Sequence, residues 1–248
     1  VIAGNTGTLV RTGYTFLGWN TAANGTGTDY AANGSASYST TANLLLYAKW
    51  SANTLNITYK SDFSGGGSDV TETATAGTSF SLKGNTFTRT GYAFAGWALT
   101  SGGSVSKADS ATVTLLVDTT YFAQWTAVNY NITYYGNNNT AGSVPVDNSN
   151  YNIGNTITVK ANSGALTRTG YSFIGWTLNQ ADTGTIYLLG SARDTITVGS
   201  SSISAYARWS KDTYYITYDS QQGTSVLNSS YQIGDTVTLA SGPTRVGY

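Results

Sequence analysis

The sequence predicts a mainly β fold, arranged as a tandem array of small modules of about 75–80 residues. The first observation is a recurring motif, found as RTGYTFLGW at 11–19, RTGYAFAGW at 89–97, RTGYSFIGW at 168–176 and RVGY at 245–248. The second is that apolar and polar residues alternate with period two inside the recurring motifs. A repeat at a fixed interval indicates that each interval is one structural unit, and period-two alternation is typical of half-buried strands.

Four strand motifs follow one another in each unit. The unit begins with an ITY strand, seen as LNITY at 55–59, YNITY at 130–134 and YYITY at 214–218. A G-x-T strand comes next, at 77–82, 154–159 and 234–239, and GNTGTLV at 4–10 is assigned to the same slot. The RTGY-x-F-x-GW strand follows, and the YA-x-W strand ends the unit, at 46–50, 121–125 and 205–209. No segment has an apolar 3.6-residue period long enough to predict a helix.

Strict alternation predicts which side chains share a face. It places Tyr14 and Phe16 on one face of the RTGY strand and Leu17 and Trp19 on the other. The ITY strand alternates in the same way, with one face formed by Leu55, Ile57 and Tyr59.

These motifs divide the chain into four repeats. Repeat 1 (1–50) lacks the first strand, repeats 2 (51–125) and 3 (126–209) are complete, and repeat 4 (210–248) has the first strands only. The links between repeats are about four residues long. Links this short restrict the angle between neighbours. The incomplete outer repeats leave two interpretations, a piece of a longer repeat protein or a subunit whose tail completes the head of the next copy by strand addition.

Composition excludes several function classes. The 248 residues carry 12 Lys and Arg against 12 Asp and Glu, so no net positive charge is available to neutralise a nucleic acid. The absence of cysteine excludes disulfides and zinc–thiolate sites. No apolar run reaches the roughly 18 residues that a membrane-spanning helix needs, so no membrane insertion is expected. A cysteine-free chain rich in Thr, Ser, Asn and Gly favours an extracellular, cell-surface or secreted bacterial protein.

No residue set predicts catalysis, and we expect no enzyme activity and no cofactor. The chain has no histidine to activate a hydroxyl nucleophile. Ser106 and Lys107 are neighbours in the sequence, and adjacent strand residues point to opposite faces. Asp62, Asp69 and Glu72 flank a glycine-rich loop and suggest calcium, but their spacing matches no calcium loop, and no metal site is predicted.

The recurring aromatic and arginine residues are assigned structural roles first. Two tryptophans per complete repeat are expected to build its core, and the six are Trp19, Trp50, Trp97, Trp125, Trp176 and Trp209. One arginine per RTGY motif is expected to brace its own repeat by stacking on an aromatic ring, and these are Arg11, Arg89, Arg168 and Arg245. The candidate surface contacts, on the opposite face of the YA-x-W strand, are Tyr47, Phe122 and Tyr206.

The combination ITY, G-x-T, RTGY-x-F-x-GW and YA-x-W resembles the Listeria–Bacteroides repeat, the B-repeat of internalin-type surface proteins. The resemblance covers essentially the whole chain. It implies β-grasp-like, ubiquitin-like modules, and tandem copies that form stalks or adhesive regions on bacterial cells. The chain departs from this pattern between Leu82 and Arg89, where about six residues leave little room for the β-grasp helix.

The sequence therefore predicts a non-enzymatic extracellular array that forms a semi-rigid stalk or filament of a bacterial adhesin. Its expected partners are neighbouring repeats and other copies in a fibre. An alternative is a binding module in which the repeats hold a glycan or a host surface protein. A third interpretation is a spacer attached to an enzyme elsewhere in a longer protein.

Overall fold

The computed structural model describes residues 2–34, 42–181, 183–191 and 193–247. The chain divides into two compact units, Val1–Ala127 and Val128–Tyr248. The described residues form sixteen strands and no helix, and hence no helix long and apolar enough to cross a membrane. In chain order the strands are β1 (Tyr14–Asn20), β2 (Asp29–Ala31), β3 (Tyr47–Ala52), β4 (Thr54–Lys60), β5 (Val70–Thr75), β6 (Ser79–Ser81), β7 (Tyr92–Ala98), β8 (Thr112–Thr114), β9 (Thr119–Ala127), β10 (Ile132–Tyr135), β11 (Thr156–Thr158), β12 (Tyr171–Thr177), β13 (Thr195–Thr197), β14 (Ile203–Lys211), β15 (Thr213–Ile216) and β16 (Ser229–Gln232).

The prediction of a mainly β tandem repeat protein is confirmed. The more detailed expectation of a β-grasp module is not, because no described residue is helical. In repeat 2, the chain between Leu82 and Arg89 has neither helix nor strand. The six residues between them would make fewer than two helical turns, too few to cover a four-stranded sheet.

The first unit contains three sheets. Its largest has the order β5-β4-β9-β7, in which β4 and β9 run parallel and the other neighbours antiparallel. The first and last strands of repeat 2 therefore lie side by side at the centre. A small β6-β8 pair belongs to the same repeat, and repeat 1 supplies a β2-β1-β3 sheet.

The core of repeat 2 lies between the four-stranded sheet and the β6-β8 pair. Leu55, Ile57 and Tyr59 are buried on one face of β4, as strict alternation predicts. Leu82 and Val113 come from the region of the small pair and join the same apolar cluster. Burial of apolar area from both layers is the main favourable term that holds the module together.

The second unit repeats this arrangement in its first half. Its sheets have the orders β10-β14-β12, β11-β13 and β15-β16, and β10 runs parallel to β14 as β4 does to β9. Its core includes Ile132, Tyr134 and Trp176, which are buried in one cluster with Ile157 and Ile196 of the small β11-β13 pair.

The predicted faces of the RTGY strand are wrong. A bulge lies between Phe16 and Gly18, so the register shifts by one residue and Phe16 and Trp19 fall on the same side. Their ring centroids are 5.4 Å apart, whereas Leu17 is 52% exposed. The same shift occurs between Phe94 and Gly96 and between Phe173 and Gly175.

The assignment of GNTGTLV at 4–10 to the G-x-T strand is also wrong. Asn5 accepts a hydrogen bond from the Leu9 amide and donates one to the Leu9 carbonyl. Asn85 forms the same pair of bonds with Phe87, and Asn162 with Leu166. Residues 4–10 therefore correspond to the loop that follows the G-x-T strand. Short glycine- and threonine-rich segments look alike in the sequence, and only the hydrogen bonds separate them.

Candidate functional site

The first three residues of the RTGY motif form a tight turn. The amide of Tyr14 donates to the carbonyl of Arg11 at 2.9 Å, and Gly13 between them has φ +82°. Glycine adopts this left-handed conformation without steric cost, which explains its place in the motif. The strand begins only at the tyrosine, at Tyr14, Tyr92 and Tyr171.

Each of three arginines lies over the tyrosine ring at the end of its own turn. The guanidinium carbon is 3.8 Å from the ring centroid for Arg11 over Tyr14 and for Arg89 over Tyr92. The distance for Arg168 over Tyr171 is 3.9 Å. A planar cation at this height over a ring gains cation–π attraction. Arg89 also lies 5.2 Å from the centroid of Phe63.

Arg245 has a different contact. Its Nη2 atom donates to Gln222 Oε1 at 3.1 Å, and the tyrosine that follows it in the motif lies outside the described residues.

The six predicted core tryptophans differ in burial. Trp97 is 1% exposed, Trp176 0% and Trp209 5%, whereas Trp19, Trp50 and Trp125 are half-buried. In each of the first three repeats a phenylalanine packs edge-on between its two tryptophans. In repeat 2, Phe94 lies 5.0 Å from Trp97 and 5.7 Å from Trp125, centroid to centroid. Repeats 1 and 3 have the corresponding sets Phe16 with Trp19 and Trp50, and Phe173 with Trp176 and Trp209.

The three candidate surface aromatics have unequal exposure. Tyr47 is 37% exposed, and Phe122 and Tyr206 are half-buried. Tyr206 stacks on Tyr135 of the neighbouring strand, with ring centroids 5.0 Å apart and planes at 19°. Tyr135 itself is 43% exposed, so this pair presents aromatic surface on the outer side of the sheet.

The structure does not bring the three acids of repeat 2 together. Asp62 accepts hydrogen bonds from the Ser101 hydroxyl and the Gly102 amide, at 2.5 and 2.8 Å. Asp69 forms an exposed ion pair with Lys60 at 2.6 Å. Glu72 accepts a hydrogen bond from the Tyr59 hydroxyl, and burial together with this bond raises the pKa of Tyr59. Across the described ranges, no three His, Cys, Asp or Glu side chains are grouped to hold a metal.

Neighbouring repeats meet through residues that the sequence analysis did not single out. At the junction of repeats 1 and 2, β3 ends at Ala52 and β4 begins at Thr54, so only Asn53 separates the strands. The Asn53 amide donates to the Gly13 carbonyl of repeat 1 at 2.9 Å. Its carbonyl accepts from the Ala76 amide of repeat 2, also at 2.9 Å.

The junction of repeats 3 and 4 has the same form. β14 ends at Lys211, β15 begins at Thr213, and the Asp212 amide between them donates to the Gly170 carbonyl at 3.0 Å. The sequence signal that could have revealed this junction is the shared position of Asn53 and Asp212, one residue before the threonine that opens the next strand.

A family model of the Listeria-Bacteroides repeat domain matches residues 3–49, 56–124, 130–207 and 214–248. Two relatives come from Evansella cellulosilytica. One, named "Putative Gly-rich membrane protein", is 28% identical over 171 residues, which make up 64% of this chain and 19% of that protein. The other, named "Putative membrane protein", is 29% identical over 169 residues, 68% of this chain and 24% of that protein. The chain thus spans about a fifth to a quarter of the length of these relatives.

The family model therefore covers nearly all of the chain in four tandem segments, and the recurring turn, strand and aromatic geometry gives the first three segments a common structure. The chain belongs to the Listeria-Bacteroides repeat domain family, a tandem repeat family of bacterial surface proteins.

Proposed function

We propose that this chain is a non-enzymatic, extracellular repeat region that forms a semi-rigid stalk or filament of a bacterial surface protein, as part of an adhesin. The observation that carries the proposal is the junction geometry. The one residue between β3 and β4 is hydrogen-bonded to the repeat before it and to the repeat after it.

The stiffness follows from how little free chain lies at such a junction. A flexible linker needs several residues whose backbone is solvated and free to rotate. At Asn53 both backbone polar groups are instead used, one toward each neighbour, so bending must break a hydrogen bond. The junctions of repeats 1 with 2 and 3 with 4 therefore transmit direction from one repeat to the next, which is what a stalk requires.

Two further observations support the proposal. Membership of a family of bacterial surface proteins, and relatives whose names describe membrane proteins, support a spacer role in the cell envelope. Four of the polar residues that sequence analysis weighed for catalysis or metal binding have structural contacts, namely Asp62, Asp69, Glu72 and Ser106. The Ser106 hydroxyl, for example, donates to the Trp97 carbonyl at 3.1 Å.

The stalk is tested by the distance distribution between two spin labels across a junction of the full chain. Because the chain has no cysteine, two introduced cysteines are labelled without ambiguity. Leu17→Cys in repeat 1 and Thr73→Cys in repeat 2 are exposed positions on either side of the junction. A control pair within repeat 2, Thr73→Cys with Leu99→Cys, gives the width of the distance distribution that is expected for two labels on one rigid body.

We expect the junction pair to give one peak nearly as narrow as that of the control pair. A broad distribution across the junction, with a narrow one inside repeat 2, would contradict the stalk.

A second candidate function is binding of a glycan or a host surface protein. The exposed Tyr135–Tyr206 pair favours it, because aromatic faces stack on sugar rings and are enriched at protein interfaces. Glycan-array binding by the full chain that is lost in Tyr135→Ser, and retained in the exposed control Thr133→Ser on the same strand, would establish this role. Absence of binding by the wild-type chain would count against it.

A further inference from the structure

The RTGY turn contacts the next repeat as well as its own. A Cβ atom built on Gly13 would lie 2.7 Å from the Leu116 carbonyl oxygen and 3.0 Å from the Ala76 Cβ. Both of these residues belong to repeat 2. A Cβ on Gly170 would lie 2.6 Å from Ile233 Cδ1 of repeat 4. At both junctions the next repeat lies so close to the motif glycine that a side chain there would force it to shift, against backbone at Gly13 and against the Ile233 side chain at Gly170.

The tyrosine of the motif extends this contact in the first unit. The Tyr14 hydroxyl lies against Gly77, where a built Cβ would be only 2.3 Å from the oxygen. Gly77 stands at the turn that opens the G-x-T strand of repeat 2, directly after Ala76. At the other junction the corresponding pair is Ile233 and Gly234. The turn of one repeat therefore fits against a turn of an apolar residue and a glycine in the next.

A side-chain hydrogen bond crosses each of these two junctions at the same position. The residue after the motif tyrosine is Thr15 in repeat 1, and its hydroxyl donates to Asn53 Oδ1 at 2.6 Å. In repeat 3 the corresponding residue is Ser172, whose hydroxyl donates to Asp212 Oδ1 at 2.5 Å. Both junctions have a hydroxyl donor and an oxygen acceptor, although the four residues are of four different types.

The sequence offers a third pair of equivalent positions for comparison. They hold Ala93 and Val128, neither of which has a hydrogen-bonding side chain. The two positions therefore change together, polar with polar and apolar with apolar.

We propose that the RTGY-x segment is the docking surface for the following repeat, and that the hydroxyl–acceptor pair is a junction lock that fixes the angle between the two. The partner that this surface fits is a second repeat with an apolar-residue–glycine turn and an Asn or Asp in the link. The inference rests on the proposed stalk function and assigns its stiffness to particular side chains.

The lock explains why the link carries an acceptor side chain at all. The two backbone hydrogen bonds of Asn53 resist bending that pulls the repeats apart, whereas a rotation about the line that joins these bonds breaks neither. The hydrogen bond from the Thr15 side chain lies off the line that joins the two backbone bonds, and it adds a third point of attachment between the repeats. Two points of attachment allow a hinge, whereas a third removes the remaining rotation.

The test uses the full chain with the spin labels at positions 17 and 73. The double variant Thr15→Ala with Asn53→Val installs the apolar pair found at positions 93 and 128. We expect the population outside the main distance peak to rise about fivefold, the effect of losing one net hydrogen bond. Thr15→Ser with Asn53→Asp installs the pair of the other junction and is expected to keep the narrow peak. Thr71→Ala, an exposed change on β5, is the matched control.

The outcomes separate the two proposals. A broad wild-type distribution overturns the stalk itself. A narrow wild-type distribution that stays narrow in the apolar double variant overturns the lock and leaves the stalk standing. Hydrogen exchange of β1 and β4 in every variant shows whether both repeats remain folded.

A second variant tests the docking surface without touching the lock. Gly77→Ala places a methyl group where the Tyr14 hydroxyl lies, and Gly65→Ala introduces the same change at a similar backbone angle with no atom within 4 Å. Only Gly77→Ala is expected to shift the mean distance between the labels. Equal behaviour of the two variants would show that the motif tyrosine does not dock on repeat 2.

Discussion

The indole N–H of Trp97 is buried and has no hydrogen-bond partner in the described structure. The equivalent groups of Trp19 and Trp176 donate to the carbonyls of Ala3 and Lys160, both at 2.8 Å. The difference lies in the loop that supplies the carbonyl. Lys160 stands eight positions before its motif arginine, whereas the corresponding Lys83 stands only six before its own. The shorter loop of repeat 2 does not deliver an acceptor to its tryptophan.

This difference predicts unequal effects of one substitution. Trp→Phe at either position removes similar volume, but at Trp176 it also removes a hydrogen bond and leaves the Lys160 carbonyl without its donor. At Trp97 it removes an unpaired buried donor. We expect Trp176→Phe to destabilise its repeat by about 1–3 kcal/mol more than Trp97→Phe destabilises repeat 2. Hydrogen exchange of the β12 and β7 amides measures the two repeats separately, and equal losses would refute the explanation.

Asp147 carries a charged side chain that is buried in repeat 3. Its side chain is 4% exposed and lies 3.6 Å from Lys160 Nζ. Burial raises its pKa, but hydrogen bonds from Ser149 and Tyr151 and the charge of Lys160 together lower it below the ordinary value. A carboxylate with a lowered folded-state pKa stabilises the protein above its unfolded pKa of about 3.9. That stabilisation is lost as the pH falls through the folded-state value.

We therefore expect Asp147→Asn to lower the stability of repeat 3 at pH 6, and to lower it by less at pH 3, which is below the unfolded-state pKa. The measurement is the urea midpoint of wild type and variant at both pH values, followed by hydrogen exchange in β11. If the urea midpoints of wild type and variant differ as much at pH 3 as at pH 6, the Asp147 charge is not the cause of the lost stability.

The bulge is the feature that shapes the RTGY strand as an element. The bulge glycines have φ between +137° and +140°, a backbone conformation that residues with a side chain rarely adopt; they are Gly18, Gly96 and Gly175. The extra residue rotates the strand so that the phenylalanine and the first tryptophan both reach the core. Without it, one of these two rings would point to solvent, because neighbouring faces alternate.

Gly96→Ala is expected to lower the free energy of unfolding far more than the same substitution at a left-handed glycine that has open space around it. Its Cβ would lie 2.6 Å from Val105 Cγ1 and 2.7 Å from the Lys107 carbonyl oxygen. Gly102 has φ +64° and no atom within 4 Å of a built Cβ. We expect about 3 kcal/mol or more for Gly96→Ala against about 1 kcal/mol for Gly102→Ala. Denaturant unfolding of the full chain, resolved by hydrogen exchange in β7, compares them. Similar costs would mean that the bulge tolerates a side chain.

At the scale of the whole molecule, the links should resist proteolysis more than the loops do. Lys211 is the last residue of β14, and the bond after it leads to the hydrogen-bonded Asp212 amide. Arg193 lies in the long variable loop of the same repeat. The Arg193 carbonyl accepts a hydrogen bond from the Leu188 amide, but this bond lies within the loop, whereas Lys211 is paired in a sheet. An aspartate follows both residues. Because proteases need an extended segment and a loop opens at a lower cost than a paired strand, we expect trypsin to cut after Arg193 well before it cuts after Lys211.

Mass spectrometry of a time course gives the order of cleavage. Asp212→Asn is the control, since it removes the acidic residue that slows trypsin while it keeps an acceptor in the link. Rapid cleavage after Lys211 in this variant would show that the link is open chain, contrary to the stalk.

Much of this architecture could be predicted from the sequence because it repeats. The period, the four strand motifs and the alternation of Leu55, Ile57 and Tyr59 each follow from residues that are close in the chain. Alternation along a strand predicts the wrong face only where a bulge inserts an extra residue and shifts the register. The bulge at Gly18 is one residue long, and a glycine in a strand does not by itself reveal it.

The sequence by itself determined the fold class, the repeat family and the places of the motif arginines and tryptophans. Only the tertiary structure decided what the motif glycine and the link residue do, because both act on a partner in the next repeat. Gly13 meets Leu116, and Thr15 meets Asn53, across distances along the chain that no local pattern encodes. Contacts of this kind depend on how folded repeats fit together. In repeats 1 and 3 the motif that marks the module in the sequence also contacts the following repeat in three dimensions.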